Sequence, residues 1–276
     1  MNNVKKFVND IDSAKYYDKL LCYSKELLDF INDNYFMKHE DNIVCEIGSG
    51  TGILSKDLLN YDIKFIGVEP DINMKEVSDY KLNKYTNYSS ILGNCYDTKL
   101  DDNSIDYVFV AQALHLFDIR KFKKECNRIL KNSDNIFIIW NRYDFQKDIF
   151  NDMLNVLMKV YPTCSFRYSK DNFHEDFKNE VRENILSCND LYEGKVIQKT
   201  FDNSIYLDES EFLDFALSFE LYPLHGLKNI CNTIKDKKID IDTYKFEMIN
   251  IFNKYKVNNK IKLPITTDLV YSEYTN

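Results

Sequence analysis

The sequence is poor in glycine and proline. It has seven glycines and four prolines in 276 residues, and no segment rich in glycine, proline or serine separates two parts of the chain. No internal repeat is visible. We therefore expect one domain over residues 1–276, because a chain of this length can form a single α/β unit with an insertion.

Cysteine and histidine are few and dispersed. The seven cysteines include no CxxC pair, and an odd, irregular set is typical of a reducing cytoplasm rather than of a disulfide framework. The four histidines lie far apart in sequence, so we expect no metal site. The first twelve residues lack an apolar segment, and no run of about 18 apolar residues occurs. These absences predict a cytoplasmic protein without a signal peptide or a membrane-spanning helix.

Positive charge is also in short supply. Lysine and arginine number 36 against 44 acidic residues, which gives a formal net charge of −8 and a pI near 5.2. An acidic protein repels phosphate backbones, so the charge balance argues against nucleic acid as a partner. The oligomeric state is left open.

Short apolar runs recur through the first half of the chain. They lie at residues 43–45, 65–68, 105–110 and 136–140. Each is rich in β-branched or aromatic residues and is apolar on both faces, which is typical of strands in a buried parallel sheet. Helical spacing separates them, as at residues 119–130 with Asp118 as the expected N-cap. Alternating strands and helices predict a doubly wound α/β sheet.

The second half is less regular. We expect a long amphipathic helix at 145–160, a strand at about 195–207, helices at 212–217 and 244–255, and a closing strand at about 260–274. The predicted core therefore covers about 36–142 together with the two late strands. A helical cap would come from residues 1–35, with Ser24 as an N-cap, and from about 208–257.

Three of the seven glycines lie within five residues, in the stretch VCEIGSGTG at 44–52. A strand followed by a glycine-rich turn and a helix places backbone close to a ligand, at the carboxyl end of the first strand of an open sheet. The alternative is an ordinary tight turn. Glu46 precedes the turn and Glu69 closes the second strand, where a carboxylate can bind a ribose diol; the alternative role for Glu69 is capping the next helix.

Two cofactors compete for this turn. A nicotinamide dinucleotide requires G-x-G-x-x-G and a pyrophosphate on the helix N-terminus. Here the third glycine comes one residue early, and the carboxylate of Glu46 would repel a pyrophosphate. That carboxylate would instead attract an ammonium group. S-adenosylmethionine carries an ammonium, a sulfonium and a ribose diol but no phosphate, so the charges favour it.

The pattern resembles a class I S-adenosylmethionine-dependent methyltransferase. The matching segments are EIGSGTG at 46–52, VEP at 68–70 and GNC at 93–95. The stretch DNSIDYVFVAQALHLF at 102–117 is similar to a subgroup that usually reads "DNSFD…AQALHWF", the small-molecule methyltransferases of the trans-aconitate type. Further matches at 139–142 and 263–271 extend the resemblance over nearly the whole chain. It implies a Rossmann-like sheet, mostly parallel with an antiparallel last strand, plus a helical cap.

The resemblance also implies roles for individual residues. Glu46 would hold the ammonium and Glu69 the ribose hydroxyls. Asn94 stands where relatives often carry an acidic residue that binds the adenine amino group, and its neutral amide would bind more weakly. The remaining residues implied in cofactor binding are Gly48, Ser49, Gly50 and Gly52 along the methionine and ribose, Pro70, Met74 and Cys95 at the adenine, and Ala111 and Gln112 at the methionine end.

Methyl transfer from a sulfonium is an in-line displacement in which the protein aligns the acceptor and excludes water. A base is needed only where the acceptor loses a proton. His115, which follows the fourth strand, is the candidate base; alternatively it orients a loop or touches the cofactor. The candidate acceptor-binding residues are Tyr17, Tyr23, Trp140, Asn141 and Arg142. The subgroup's usual Arg-Pro near residue 20 is absent, which removes a cation suited to an anionic acceptor. Arg142 could restore that cation.

Three interpretations therefore remain at this point. The leading one is a methyltransferase that acts on a small molecule, without nucleic acid or membrane. The second is an NAD-dependent oxidoreductase built on the same sheet. The third is a domain that binds the cofactor without catalysis.

Overall fold

A computed structural model of the chain describes residues 22–38, 41–143, 147–160, 189–225 and 241–273. The strands are β1 (Ile43–Ile47), β2 (Lys64–Glu69), β3 (Tyr88–Leu92), β4 (Tyr107–Ala111), β5 (Ile136–Tyr143), β6 (Lys195–Asp202), β7 (Ile205–Leu207), β8 (Ile261–Leu263) and β9 (Ile265–Glu273). The helices are α1 (Lys25–Asn34), α2 (Ile53–Leu58), α3 (Ile72–Leu82), α4 (Ile119–Ile129), α5 (Asp148–Val160), α6 (Glu209–His225) and α7 (Ile241–Tyr255). None of the helices in these ranges has the length and apolarity needed to span a bilayer.

Seven strands form one sheet in the order β3-β2-β1-β4-β5-β9-β6. Strands β1 to β5 are parallel to one another. Strand β9 lies between β5 and β6 and is antiparallel to both. The predicted Rossmann-like sheet, mostly parallel with an antiparallel last strand, is confirmed.

The two late strands are more divided than the sequence predicts. The expected strand at 195–207 separates into β6 in the main sheet and the short β7, which pairs with β8 as a two-stranded ribbon. The expected strand at 260–274 is likewise divided into β8 and β9 at Pro264. Proline has no N–H to donate to a ladder, so a break at this position is physically reasonable.

Both faces of the sheet are covered. On one face Leu27 and Ile31 of α1 are fully buried against the inward side chains of β1, β4 and β5. On the other face Phe122 and Cys126 of α4 are equally buried. Asp118 caps α4 by accepting hydrogen bonds from two backbone N–H groups, as predicted. Ser24 precedes α1 but does not cap it; its hydroxyl donates instead to the Asp202 carbonyl at 2.8 Å.

A third apolar cluster lies outside the two faces. It joins α5, α6 and α7 to the β7–β8 ribbon, with Phe150, Phe212 and Met248 fully buried. Helices α6 and α7 lie in the expected cap segment at about 208–257, whereas α5 is not part of that expectation. Of the earlier part of the expected cap, residues 1–21 lie outside the described residues, and α1 packs on the sheet itself. The division into core and cap stays a prediction.

Candidate functional site

The strand order places a switch point beside β1. Its two neighbours are β2 and β4, so the chain crosses the sheet in one direction from β1 to β3 and in the other from β4 onward. Ligands of open α/β sheets bind outside the carboxyl ends of the strands at such a point. The glycine turn at residues 48–52 follows β1 there.

Each of the three glycines has a left-handed backbone conformation. The φ angles are 77° at Gly48, 53° at Gly50 and 80° at Gly52. A Cβ at Gly48 would lie 2.9 Å from the Cβ of Ala113, and one at Gly52 would lie 2.8 Å from the Leu82 Cδ1. A Cβ at Gly50 would meet no protein atom within 4 Å. Packing therefore requires the first and third glycines, whereas the second exposes backbone on an open side.

Glu69 reaches this turn from the end of β2. It is 6% exposed, and its Oε2 accepts a hydrogen bond from the Gly50 N–H at 2.8 Å while Oε1 accepts from the Asp71 N–H at 3.0 Å. Burial raises the pKa of Glu69, and the two backbone donors oppose the rise. Asp71, not Glu69, caps α3. The alternative role of Glu69 as a helix cap is thus filled by its neighbour.

Glu46 lies one strand away and is almost completely buried. It is 3% exposed, and its Oε2 accepts a hydrogen bond from the Ser55 hydroxyl at 2.6 Å. Burial raises the pKa of Glu46 to about 8; Ser55 opposes this rise and the nearby Glu69 adds to it. Glu46 could be identified from the sequence, whereas Ser55, nine residues later on α2, could not. No spacing rule links a strand residue to that position.

Two hydroxyls of the turn are buried without a hydrogen-bond partner in the described part of the chain. They are the Ser49 Oγ and the Thr51 Oγ1. Such groups are uncommon in proteins and call for a ligand or another explanation. Gly67 of β2 makes room for the first of them, since a Cβ there would lie 2.8 Å from the Ser49 Oγ.

The loop after β3 forms the next part of the rim. Asn94 is exposed, and its Oδ1 accepts a hydrogen bond from the Tyr96 N–H at 2.8 Å. Cys95 is buried, and burial raises the pKa of its thiol. On the facing helix α3, Met74 is half-buried, while Pro70 before it is exposed.

An ion pair between the buried Glu125 and the half-buried Arg128 supports this loop from behind. Glu125 of α4 accepts hydrogen bonds from the backbone N–H and hydroxyl of Thr98 at 2.9 and 2.7 Å. Arg128 donates to both oxygens of Glu125, and to the Leu100 carbonyl at 2.7 Å. These bonds connect the loop to the helix that covers the sheet.

The end of β4 contains the predicted methionine-side residues. Ala111 is buried. Gln112 has a φ of 58°, which is strained for a residue other than glycine and is common at functional sites. Its Nε2 lies 3.4 Å from the Asn141 carbonyl. His115 is exposed, in the short helical turn at Leu114–Leu116.

The candidate acceptor-binding residues are placed differently from one another. Asn141 is buried, and its Nδ2 donates to the Cys22 carbonyl at 3.1 Å. Arg142 forms an ion pair with the buried Asp268, with Nε 2.9 Å from Oδ2. Trp140 is half-buried against the α4 side of the sheet. Tyr23 is buried in the α1 side, and Tyr17 lies outside the described residues.

Potential metal ligands are not clustered in the described part of the chain. In the ranges that the structure describes, no group of three or more histidine, cysteine, aspartate or glutamate side chains could hold a metal ion. The chemistry available at the rim is instead that of two buried carboxylates, unpaired hydroxyls and open backbone.

Comparison with known proteins identifies a family. Residues 45–138 match a family model described as a methyltransferase domain. An uncharacterised methyltransferase-like protein of Schizosaccharomyces pombe is 30% identical over 142 residues, which cover 51% of this chain and 54% of that protein. A putative methyltransferase of Dictyostelium discoideum is 30% identical over 196 residues, which cover 65% of this chain and 72% of that protein. The chain thus spans about half the length of the first relative and more than two thirds of the second.

A solved structure shares the fold. The putative type II methyltransferase of Anaeromyxobacter dehalogenans superposes with a TM-score of 0.62 at 12% identity, over 91% of this chain and 96% of that one. At this identity the likeness concerns the fold alone. Taken with the sequence matches, it leads to one conclusion: the chain belongs to the class I methyltransferase family, whose members take their methyl group from S-adenosylmethionine.

Proposed function

We propose that the protein transfers a methyl group from S-adenosylmethionine to a small-molecule acceptor by in-line displacement. The observation that carries the proposal is the pair of buried carboxylates, Glu46 and Glu69, on either side of a turn whose central glycine has an open side. Two acidic groups at this place disfavour the pyrophosphate of a nicotinamide dinucleotide and suit a cofactor with an ammonium and a ribose diol.

The unpaired hydroxyls of the turn support the same fit. The Ser49 Oγ and Thr51 Oγ1 are buried without a partner among the described residues, and a polar ligand in the turn would satisfy them. S-adenosylmethionine supplies a methyl group already activated on a sulfonium. The task of the chain is to bind, orient and exclude water.

Each binding role falls to a residue with suitable chemistry. Glu46, when ionised, pairs with the ammonium, and Glu69 accepts from the ribose hydroxyls while the Gly50 N–H holds it in place. Met74 and Pro70 cover the adenine. Asn94 accepts from the adenine amino group through the Oδ1 that also binds Tyr96, since an amide oxygen can accept two hydrogen bonds. Cys95 contributes its backbone at the same base.

The acceptor is proposed to bind near Gln112, beside Tyr23 and Asn141, whereas Trp140 packs against the opposite face of the sheet. The trans-aconitate-type subgroup would require an anionic acceptor. The candidate cation for it, Arg142, is already paired with Asp268, which also accepts from the Thr200 hydroxyl at 2.7 Å. We therefore favour a neutral or cationic acceptor, with His115 as the group that removes a proton where one must leave.

Calorimetry with S-adenosylhomocysteine, the product form of the cofactor, tests the proposal. We expect micromolar binding that is lost in Glu69→Ala and retained in Glu76→Ala, a matched change of an exposed glutamate on α3. NAD should give no heat. Binding of NAD instead would overturn the cofactor assignment, and equal binding of S-adenosylhomocysteine by both variants would overturn the role of Glu69.

Turnover is tested separately. The release of S-adenosylhomocysteine is measured with panels of neutral, cationic and anionic small acceptors. Product with a neutral or cationic acceptor supports the proposal. Tight cofactor binding with no product in any panel would favour the alternative of a domain that binds the cofactor without catalysis.

A further inference from the structure

The partner of Glu46 is the feature that the proposed function leaves unexplained. Ser55 is fully buried on α2, and its hydroxyl lies 2.6 Å from the Glu46 Oε2. A serine hydroxyl inside a helix usually donates to a backbone carbonyl one turn earlier. Here it donates instead to the carboxylate of Glu46 on the neighbouring strand.

The surroundings of Glu46 disfavour its ionised form. The carboxyl is buried on β1, with Glu69 on β2 and Asp57 on α2 as acidic neighbours. Cys45 and Tyr88 are also close enough for the charge of Glu46 to raise their pKa values. The main contributions to the pKa of Glu46 come from burial, Ser55, Glu69 and Asp57, and none of these is a cation. Ser55 opposes the effect of burial through its hydroxyl and its backbone N–H.

We infer that Ser55 is a positioning residue for the cofactor. Its hydroxyl fixes the Glu46 Oε2, so that the other carboxylate oxygen, Oε1, binds the ammonium group of S-adenosylmethionine. The inference rests on the proposed function, in which Glu46 binds that ammonium. A hydrogen bond to one oxygen also lowers the energy of the ionised carboxylate, which an ion pair requires.

The inference assigns Ser55 a restricted effect. A residue that acts through Glu46 should matter only for ligands that carry the amino-acid portion. S-adenosylhomocysteine has this portion, whereas 5′-methylthioadenosine retains the adenosine and the thioether sulfur but lacks it. Because both ligands use Glu69 and the adenine contacts, the ratio of their dissociation constants reports the contribution of the groups that bind the amino-acid portion, Glu46 among them.

The experiment measures both dissociation constants by calorimetry between pH 6 and 8.5. In Ser55→Ala, S-adenosylhomocysteine should bind about tenfold more weakly, the scale of one hydrogen bond to a charged group, while 5′-methylthioadenosine changes less than twofold. The pH at which S-adenosylhomocysteine binding weakens should also rise. Ser55→Thr keeps the hydroxyl and should restore most of the ratio.

Two controls separate positioning from folding. Ser78→Ala removes another fully buried hydroxyl, one that bonds to the Lys75 carbonyl and Tyr88 instead of Glu46, and should leave the ratio unchanged. In a Glu46→Gln background, Ser55→Ala should have no further effect on the ratio. Thermal unfolding identifies any variant that is not folded. If Ser55→Ala does not fold, the ratio is measured for Ser55→Thr and the unmodified protein.

The outcomes are distinct. Equal weakening of both ligands in Ser55→Ala, or no weakening of either, would overturn the positioning role. If the unmodified protein binds neither ligand, the proposed function itself fails. If it binds both equally well, Glu46 does not recognise the ammonium, and the inference fails with it.

Discussion

Glu46→Gln should remove a pH-dependent loss of stability from the ligand-free protein. The pKa of Glu46 is about 8 in the folded chain, against an ordinary value of 4.5. The folded protein therefore holds this proton more tightly than the unfolded chain does. The resulting stabilisation is fully present below pH 4.5 and is lost as the pH rises toward 8.

The magnitude follows from the linkage relation. Each pH unit between the two pKa values lowers the free energy of unfolding by about 1.4 kcal/mol. From pH 6 to pH 9 Glu46 alone should therefore remove about 3 kcal/mol, most of it before pH 8. Glutamine does not titrate, yet its amide oxygen still accepts from Ser55, so the variant keeps the packing and loses the pH dependence.

Urea unfolding at pH 6 and pH 9 measures the effect. The change in the free energy of unfolding between the two pH values is compared for the unmodified protein, Glu46→Gln and the exposed control Glu76→Gln. The control should follow the unmodified protein, because contributions common to all three proteins cancel. Parallel pH dependence in Glu46→Gln would refute the assignment of a proton to Glu46 near neutral pH.

Three further predictions concern neighbouring features. Gly50→Ala should abolish S-adenosylhomocysteine binding and lose about 1 kcal/mol of stability because of its left-handed φ. Gly52→Ala, whose Cβ would overlap Leu82, should lower the midpoint of thermal unfolding more. A larger loss of thermal stability in Gly50→Ala than in Gly52→Ala, with cofactor binding retained in Gly50→Ala, would contradict the turn geometry. Arg128→Met should destabilise by about 2 kcal/mol in urea, because the buried Glu125 loses its partner. The pKa of Glu125 is about 2, so the stability that its ionised form contributes is lost as the pH falls below about 4.5. The free energy of unfolding of Arg128→Met should therefore fall less steeply at acid pH than that of the unmodified protein, and an equally steep fall would contradict this. His115→Gln should lower turnover of an acceptor that loses a proton by about 100-fold or more with cofactor binding intact, and unchanged turnover would exclude a base role.

The sheet and the glycine turn could be predicted because their signals are local. A turn between a strand and a helix is determined by residues that are adjacent in sequence, and the three glycines occur where a left-handed backbone conformation is required. The carboxylate of Glu69 could be predicted for the same reason, since it ends a strand beside the one that ends at the turn.

The missing parts of the site depend on distant residues. Ser55 meets Glu46 across two elements, and the Asp268 that pairs with Arg142 lies 126 residues further along the chain. Asn141 bonds to Cys22 over 119 residues. A single sequence contains no periodicity that relates such positions. The ion pair of Arg142 with Asp268 therefore could not be foreseen when Arg142 was expected to bind the acceptor.

The place of β9 in the sheet has a consequence for biosynthesis. Of the described elements β9 is the last to be synthesised, yet it lies between β5 and β6 and supplies the fully buried Leu269 and Val270 to the two faces of the core. Until it emerges from the ribosome, β5 and β6 both present unpaired backbone, the kind of edge that other chains can join. A nascent chain that already contains every cofactor-binding residue named above would therefore still expose unpaired strand edges. A protein truncated before residue 265 should aggregate or be degraded rather than act as a weakened enzyme.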